Sequence, residues 1–239
     1  MVCEFSETQF AFGIVFEIVK KNCISKGYSA PLFPTQAMEG EFGYDMQLNG
    51  KTRTLFLQFK VPEKKTTKSA KYWKDHNQAY YEFKIYPQTI SNQHNALVKL
   101  AKEDERNRVY YCSPGFITCD EYNEYYRRSK IDANSIYVPL NTMNKISGSD
   151  WHSVSYTLSP YKYSRMHSDS EDCRSLTSEE FYSDIAEMPS YDSFESCVSS
   201  LAERFEVDVS GCENNREKAH AISSELMARY NLNLLLLPS

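Results

Sequence analysis

The sequence lacks the segments and motifs that mark several common classes of protein. Its apolar runs fall well short of the roughly 18–20 residues that a membrane-spanning helix needs, so we expect no membrane association. Glu4 and Glu7 interrupt the amino-terminal stretch, which has no basic segment before an apolar one and so predicts no secretory signal. A Walker loop, a G-x-S-x-G nucleophile motif and a dinucleotide-binding fingerprint are also absent.

Cysteine pairs of the C-x-x-C type are missing as well. The seven Cys are an odd number and are widely scattered, which argues against both a disulfide framework and a zinc knuckle. We therefore expect free thiols in a reducing compartment and predict a cytoplasmic protein.

What the sequence does contain is typical of a globular protein. Hydrophobic residues make up 41% of the 239 residues, enough for a packed core, and the aromatic content of 14% includes 18 Tyr. This length suits one large domain or one domain with an appendage.

Charge is distributed unevenly along the chain, although the net charge is only −5. Residues 1–149 carry 20 Lys and Arg against 16 Asp and Glu, whereas residues 150–212 carry 4 against 13. This asymmetry indicates two functional regions, of which the first is suited to face phosphate and the second is not.

Hydrophobic periodicity and turn residues predict the helices and strands. A first helix is predicted over residues 6–22, because Ser6-x-x-Gln9 is a capping-box pattern. Up to residue 140 the predicted order is α-β-β-β-insert-α-β-α-β, with strands at 28–33, 44–48, 55–61, 80–87, 108–116 and 135–140 and later helices starting near 91 and 118. The remainder predicts a strand at 151–158, a linker at 164–178, helices within 176–188, 190–205 and 215–232, and a buried strand or interface at 232–239.

Polar side chains interrupt the apolar strand predicted at 55–61. Alternate residues of a strand share a face, so Gln58 and Lys60 point the same way. In one register of the predicted hairpin Asp45 lies opposite Gln58, and a tight Asn49-Gly50 turn would instead pair it with Thr54, so both registers stay open. In the first register a carboxylate, an amide and an ammonium converge on one patch.

This pattern resembles the PD-(D/E)XK nuclease superfamily. Asp45-x12-Gln58-x-Lys60, preceded by a helical Glu17, is similar to the superfamily motif, and the later stretches SNQHNALVKLAKE, VYYCSPGF and SIYVPLNTM resemble a bacterial, defence-type subgroup. The resemblance implies an α/β fold with a restriction-endonuclease-like αβββαβ core, a central mixed sheet flanked by helices, and a mainly helical C-terminal region. It covers roughly residues 6–140.

Two positions depart from the family pattern. Gln58 stands where the family has Asp or Glu, and Tyr44 precedes the first acid where the motif has Pro. A neutral amide oxygen is a weaker Mg²⁺ ligand than a carboxylate. Glu17, Glu39 or Glu41 would have to restore the missing charge.

The implied activity is that of a metal-dependent DNA endonuclease, a phosphodiester hydrolase of anti-phage defence or restriction. Mg²⁺ or Mn²⁺ on Asp45, Gln58 and Glu17 would polarise the scissile phosphate and lower the pKa of a bound water. Lys60 would position that water or offset charge developing on the phosphate oxygens. The implied catalytic residues are thus Asp45, Gln58, Lys60 and Glu17.

Further residues are candidates for nucleic-acid contacts. Lysines can neutralise phosphates and aromatic rings can stack on bases, which makes candidates of Lys64, Lys65, Lys68, Lys71 and Trp73. Gln93 and His94, near the start of a helix, are placed where a phosphate is welcome. A solvated loop and a helix cap are the alternative interpretations of these two groups.

The sequence predicts a nuclease core at residues 1–145 and an acidic extension at 146–239. The extension is expected to dock a protein partner, such as an ATPase or another defence component, or to form a homodimer. Two other functions stay open. One is a catalytically inactive nuclease-fold module that binds nucleic acid or recruits a partner, and the other is a purely structural interaction protein.

Overall fold

The computed structural model describes residues 1–22, 52–158, 163–167 and 171–238 of the chain. Within these residues the helices are α1 Glu7–Asn22, α2 Trp73–His76, α3 Gln93–Glu103, α4 Cys119–Arg127, α5 Ser178–Glu187, α6 Phe194–Arg204 and α7 Asn215–Tyr230. The strands are β1 Thr52–Phe59, β2 Glu63–Lys65, β3 Tyr80–Ile85, β4 Asn107–Pro114, β5 Ser135–Pro139, β6 His152–Thr157, β7 Tyr163–Met166, β8 Glu171–Asp172 and β9 Asn233–Pro238. A short 3-10 turn, Asp132–Asn134, precedes β5.

Four strands form a mixed sheet in the order β5-β4-β1-β9. β1 and β4 are parallel, and the chain between them runs through β2, α2, β3 and finally α3, whereas β5 and β9 run antiparallel to their neighbours. Parallel neighbours need a crossover connection, and the helix that the sequence predicts between these two strands supplies it. The predicted α/β class, with a mixed sheet flanked by helices, is confirmed.

The other five strands form an antiparallel sheet in the order β2-β3-β6-β7-β8. The strands predicted near 80 and 151 are β3 and β6, which pair with each other. The segment 164–178, predicted as a linker, instead contains most of β7 and all of β8.

The mixed sheet separates two apolar cores. Leu55, Leu57 and Phe59 pack with the apolar side of α1 and with α5, while Phe56 packs with α3, α6, α7 and the antiparallel sheet. This follows from the alternation of side chains along β1. Gln58 therefore lies on the α3 side of the sheet, which sets the position of the site described below.

The hairpin predicted before β1 has to be corrected at one edge. The segment 44–48, Asp45 and the Asn49-Gly50 turn lie outside the described residues. β1 is hydrogen-bonded to β4 on one side and to β9 on the other, where Leu55 lies opposite Leu235, so the predicted pairing of residue 55 within a hairpin is not formed. β9 is thus the antiparallel neighbour of β1 over residues 52–57.

The predicted helices after residue 176 are confirmed as α5, α6 and α7, and the predicted final strand as β9. β9 is hydrogen-bonded to β1 and β6 to β3, so residues after 145 belong to the same two sheets as residues before it. No helix in the described part of the chain is long and apolar enough to span a membrane. No disulfide joins any two of the six described cysteines.

Candidate functional site

The carboxyl end of β1 brings two of the predicted residues together. In a β1–α3–β4 unit the first residues of the helix meet the end of the strand, which is where open α/β sheets bind their ligands. Gln93, the first residue of α3, donates from Nε2 to Gln58 Oε1 at 3.0 Å and also to the backbone oxygen of Tyr230. The amide of Gln58 in turn donates to the Phe59 carbonyl at 3.3 Å.

Lys60 follows directly after β1 and is buried, with 9% of its surface exposed. Burial lowers the pKa of its ammonium, and the negative charge of Glu7 opposes that effect. Burial is the main cause that lowers the pKa of His94, and the positive charge of Lys60 adds to it. The Lys60 side chain has no hydrogen bond or ion pair with any residue in the described ranges.

Glu7 is the acid that α1 places beside Lys60. Burial raises the pKa of the Glu7 carboxyl, while the charge of Lys60 and a hydrogen bond with the Val61 backbone lower it. The sequence offered a weak signal for this role, because an acid in the first turn of a helix is also expected from the helix dipole alone. The two groups are partly desolvated and carry opposite charges, but they do not form an ion pair with each other.

A cavity of about 340 Å³ adjoins this pair. The charged side chains that line it are Glu7, Lys60, Glu63, Glu82 and Lys84. Lys65 offsets two of these carboxylates, since its Nζ lies 2.5 Å from Glu63 Oε2 and 4.0 Å from Glu82 Oε2. The site is therefore close to electrically neutral and is not an acidic patch.

Glu17 does not join Gln58 and Lys60. Its carboxylate accepts hydrogen bonds from the backbone N–H groups of Ile131 at 2.9 Å and Asp132 at 3.1 Å, on the α1 side of the mixed sheet. Gln58 lies on the α3 side. The predicted convergence of Glu17 with these two residues is wrong. The sheet separates Glu17 from Gln58, and Lys60 lies beside the first turn of α1, whereas Glu17 lies ten residues further along that helix.

The described residues do not supply a magnesium site. Among residues 1–22, 52–158, 163–167 and 171–238 no three His, Cys, Asp or Glu side chains are grouped so that they could hold a metal ion. Of the three predicted ligands, Glu17 lies on the α1 side of the mixed sheet, away from Gln58. The Gln58 amide oxygen already accepts a hydrogen bond from Gln93, and Asp45 lies outside the described residues. Mg²⁺ requires several hard oxygen ligands, so this donor set does not fit it.

The predicted basic segment lies along β2 and the loop that follows. Lys65 is held in the ion pair with Glu63, and the Lys64 ammonium lies over the Tyr81 ring, 5.3 Å from its centroid. Lys68 and Lys71 are exposed to solvent. Trp73, the first residue of α2, is only partly exposed. Three of the four lysines are thus free of carboxylate partners among the described residues.

The two residues predicted at the start of α3 differ in accessibility. Gln93 reaches the site through its contact with Gln58. His94 is buried, and its ring nitrogens contact the Tyr111 hydroxyl and the Asn144 backbone oxygen, each at 2.9 Å. With both nitrogens engaged inside the protein, His94 anchors α3 and has no nitrogen left for a phosphate.

Comparison of the chain with protein-family models, with curated proteins and with solved structures finds no match.

Proposed function

We propose that this protein binds nucleic acid at the carboxyl end of β1, with the Lys60 ammonium contacting a phosphate. The observation that carries this proposal is the buried Lys60 side chain, which lies beside a cavity and lacks a hydrogen-bonded partner among the described residues. A buried charge is costly unless it is paired, and the desolvated ammonium gains from an anionic ligand.

Charges around the cavity are compatible with an anion. Lys65 offsets Glu63 and Glu82, and Lys84 adds a second cation to the lining. Lys68 and Lys71 extend the positive charge along the exposed loop after β2. A strand of nucleic acid that follows this surface would release counterions at each neutralised phosphate.

A second candidate is metal-dependent hydrolysis of phosphodiester bonds. It is favoured by the β1–α3–β4 order, with Gln58-x-Lys60 at the end of β1, which is the arrangement that the resemblance to PD-(D/E)XK nucleases implies. The metal would have to be held largely by residues other than the described ones, Asp45 first. A role in defence or restriction, and a partner for the C-terminal region, belong to this candidate.

The first test is the binding of a labelled DNA duplex, measured by fluorescence anisotropy at several salt concentrations. Lys60→Met keeps a long apolar side chain but removes the charge, and Lys99→Met removes an exposed lysine further along α3. We expect Lys60→Met to weaken binding and to reduce the slope of log affinity against log salt by about one. Lys99→Met should leave both unchanged.

Failure of the wild type to bind either this duplex or one of its separated strands, or equal effects of the two substitutions, would overturn the proposal. Cleavage of supercoiled plasmid with Mg²⁺ or Mn²⁺ separates the second candidate from the first. Cleavage that Asp45→Asn abolishes establishes hydrolysis, whereas DNA binding without cleavage in either metal leaves a binding module.

A further inference from the structure

Two exposed aromatic side chains lie at the rim of the Lys60 cavity. Tyr86 directly follows β3 and Trp151 directly precedes β6, and they are 49% and 55% exposed. Their ring centroids are 5.1 Å apart with an interplanar angle of 49°. Large aromatic side chains are normally buried, so an exposed pair beside a charged cavity indicates a ligand surface.

The strand register places this pair on the outer face of the antiparallel sheet. Ile85 lies opposite His152 in the β3–β6 ladder, so the next residue outward on each strand is a member of the pair. Phe83 and Ile85 point into the core, and the residues between and after them therefore point outward. Tyr86 and Trp151 therefore lie side by side, one at the end of β3 and the other at the start of β6.

A cation accompanies the rings. The Lys84 ammonium lies 5.8 Å from the centroid of the Trp151 ring, within the range of a cation–π contact. Lys84 and Lys60 both line the cavity below the rings. Aromatic faces next to lysines are the combination that binds single-stranded nucleic acid, because bases stack on the rings while phosphates meet the cations.

We propose that Tyr86 and Trp151 form a stacking platform for an unpaired base, with the adjoining phosphates at Lys84 and Lys60. This inference rests on the proposed nucleic-acid binding and narrows its substrate class to strands that offer a base outside a duplex. In a duplex the faces of the bases are covered by their neighbours, so a paired strand has no base face free for the rings. The platform therefore favours single strands, loops or frayed ends.

The two Trp of the sequence allow a direct test. Trp73→Phe leaves Trp151 as the only indole, and we expect a single-stranded oligo(dT) to quench its fluorescence on binding. In the Trp151→Phe variant the remaining Trp73 should show no comparable quenching. The same titration with oligo(U), compared with oligo(dT), shows whether the stacked base comes from RNA or from DNA.

Affinity measurements complete the test. Because one stacked base contributes on the order of 1–3 kcal/mol, Trp151→Ala should weaken single-strand binding roughly 5- to 150-fold. Duplex binding should change little. Phe12→Ala, which removes an equally exposed aromatic residue from α1, is the matched control and should affect neither.

The outcomes separate the two proposals. If Lys60→Met weakens binding but Trp151→Ala leaves single-strand affinity unchanged, the platform is refuted and the phosphate site stands. If Trp73 rather than Trp151 is quenched, the platform is also refuted. If the wild type binds neither strand form, both proposals fail.

Discussion

The carboxyl group of Glu17 offers a sharp test of the structure, because its environment favours the protonated form. Burial is the main cause that raises its pKa from 4.5, and a hydrogen bond with the carboxylate of Asp132 raises it further. The backbone N–H groups of Ile131 and Asp132 act in the opposite direction. The Asp132 carboxylate is stabilised by Lys21, whose Nζ lies 2.5 Å from Oδ2, so the proton of the pair belongs on Glu17.

Glu17→Gln imitates the protonated carboxyl group. The amide can donate to Asp132, as the carboxylic acid does, and its oxygen can accept from one of the two backbone N–H groups. The other N–H then loses its acceptor, which costs about 1–3 kcal/mol in a buried site. Glu17→Ala removes both acceptors and leaves a cavity, so its cost should reach about 3–5 kcal/mol.

The effect of Glu17→Gln should depend on pH with a definite sign. A carboxyl whose pKa is raised by folding contributes stability that is fully present below its unfolded pKa of 4.5 and is lost as pH rises through the folded pKa. The glutamine variant lacks this pH-dependent contribution to stability, because its amide does not titrate. The cost of the substitution should therefore be largest below pH 4.5 and shrink at higher pH, by up to about 1.4 kcal/mol for each unit by which the folded pKa exceeds 4.5.

The measurement is urea denaturation of wild type and variant at about pH 5 and about pH 8.5, with the difference in free energy of unfolding taken at each pH. Taking the difference cancels the titration of the histidines, which both proteins share. A cost that is independent of pH, or that grows as pH rises, would show that Glu17 is ionised in the fold and would refute the reasoning.

Two further substitutions test the packing and an ion-pair cluster. Gly13→Ala should destabilise by about 1–3 kcal/mol in thermal or urea unfolding, because its Cβ would lie 2.4 Å from Ile131 Cδ1 in a packed core, while Gly211→Ala, with open space around it, should not. Asp104→Asn should lower the free energy of unfolding by about 1–3 kcal/mol near neutral pH. Hydrogen bonds from Arg106 and Arg204 outweigh burial and hold the pKa of the Asp104 carboxyl well below its usual range. That cost should shrink as pH falls below 3.8, where the wild type also loses this stabilisation, and urea unfolding across that range measures it.

Local signals in the sequence predicted the elements of the fold better than their partners. Thr118 and Glu121 cap each other at the start of α4, at the predicted helix start near residue 118. Ser6 accepts from the Gln9 backbone N–H at the start of α1, where the capping-box pattern was found. Both signals act within a few residues. The pairing of β1 with β9 had no such signal, because the apolar run at 232–239 indicates burial but does not specify which strand it joins.

At the candidate site, too, the sequence predicted the type of residue but not its position in the fold. An acid on the first helix was expected beside Lys60, and the structure provides one, but it is Glu7 and not Glu17. Ten residues along an α-helix correspond to about 15 Å of axial rise and to a net rotation of roughly 80° between the two side chains. Only an acid in the first turn of α1 can therefore reach the end of β1, while one near its last turn reaches the Ile131–Asp132 amides. The sequence shows two acidic residues on an apolar helix, but it does not show which of them faces the cavity. The packing of α1 on the sheet determines that.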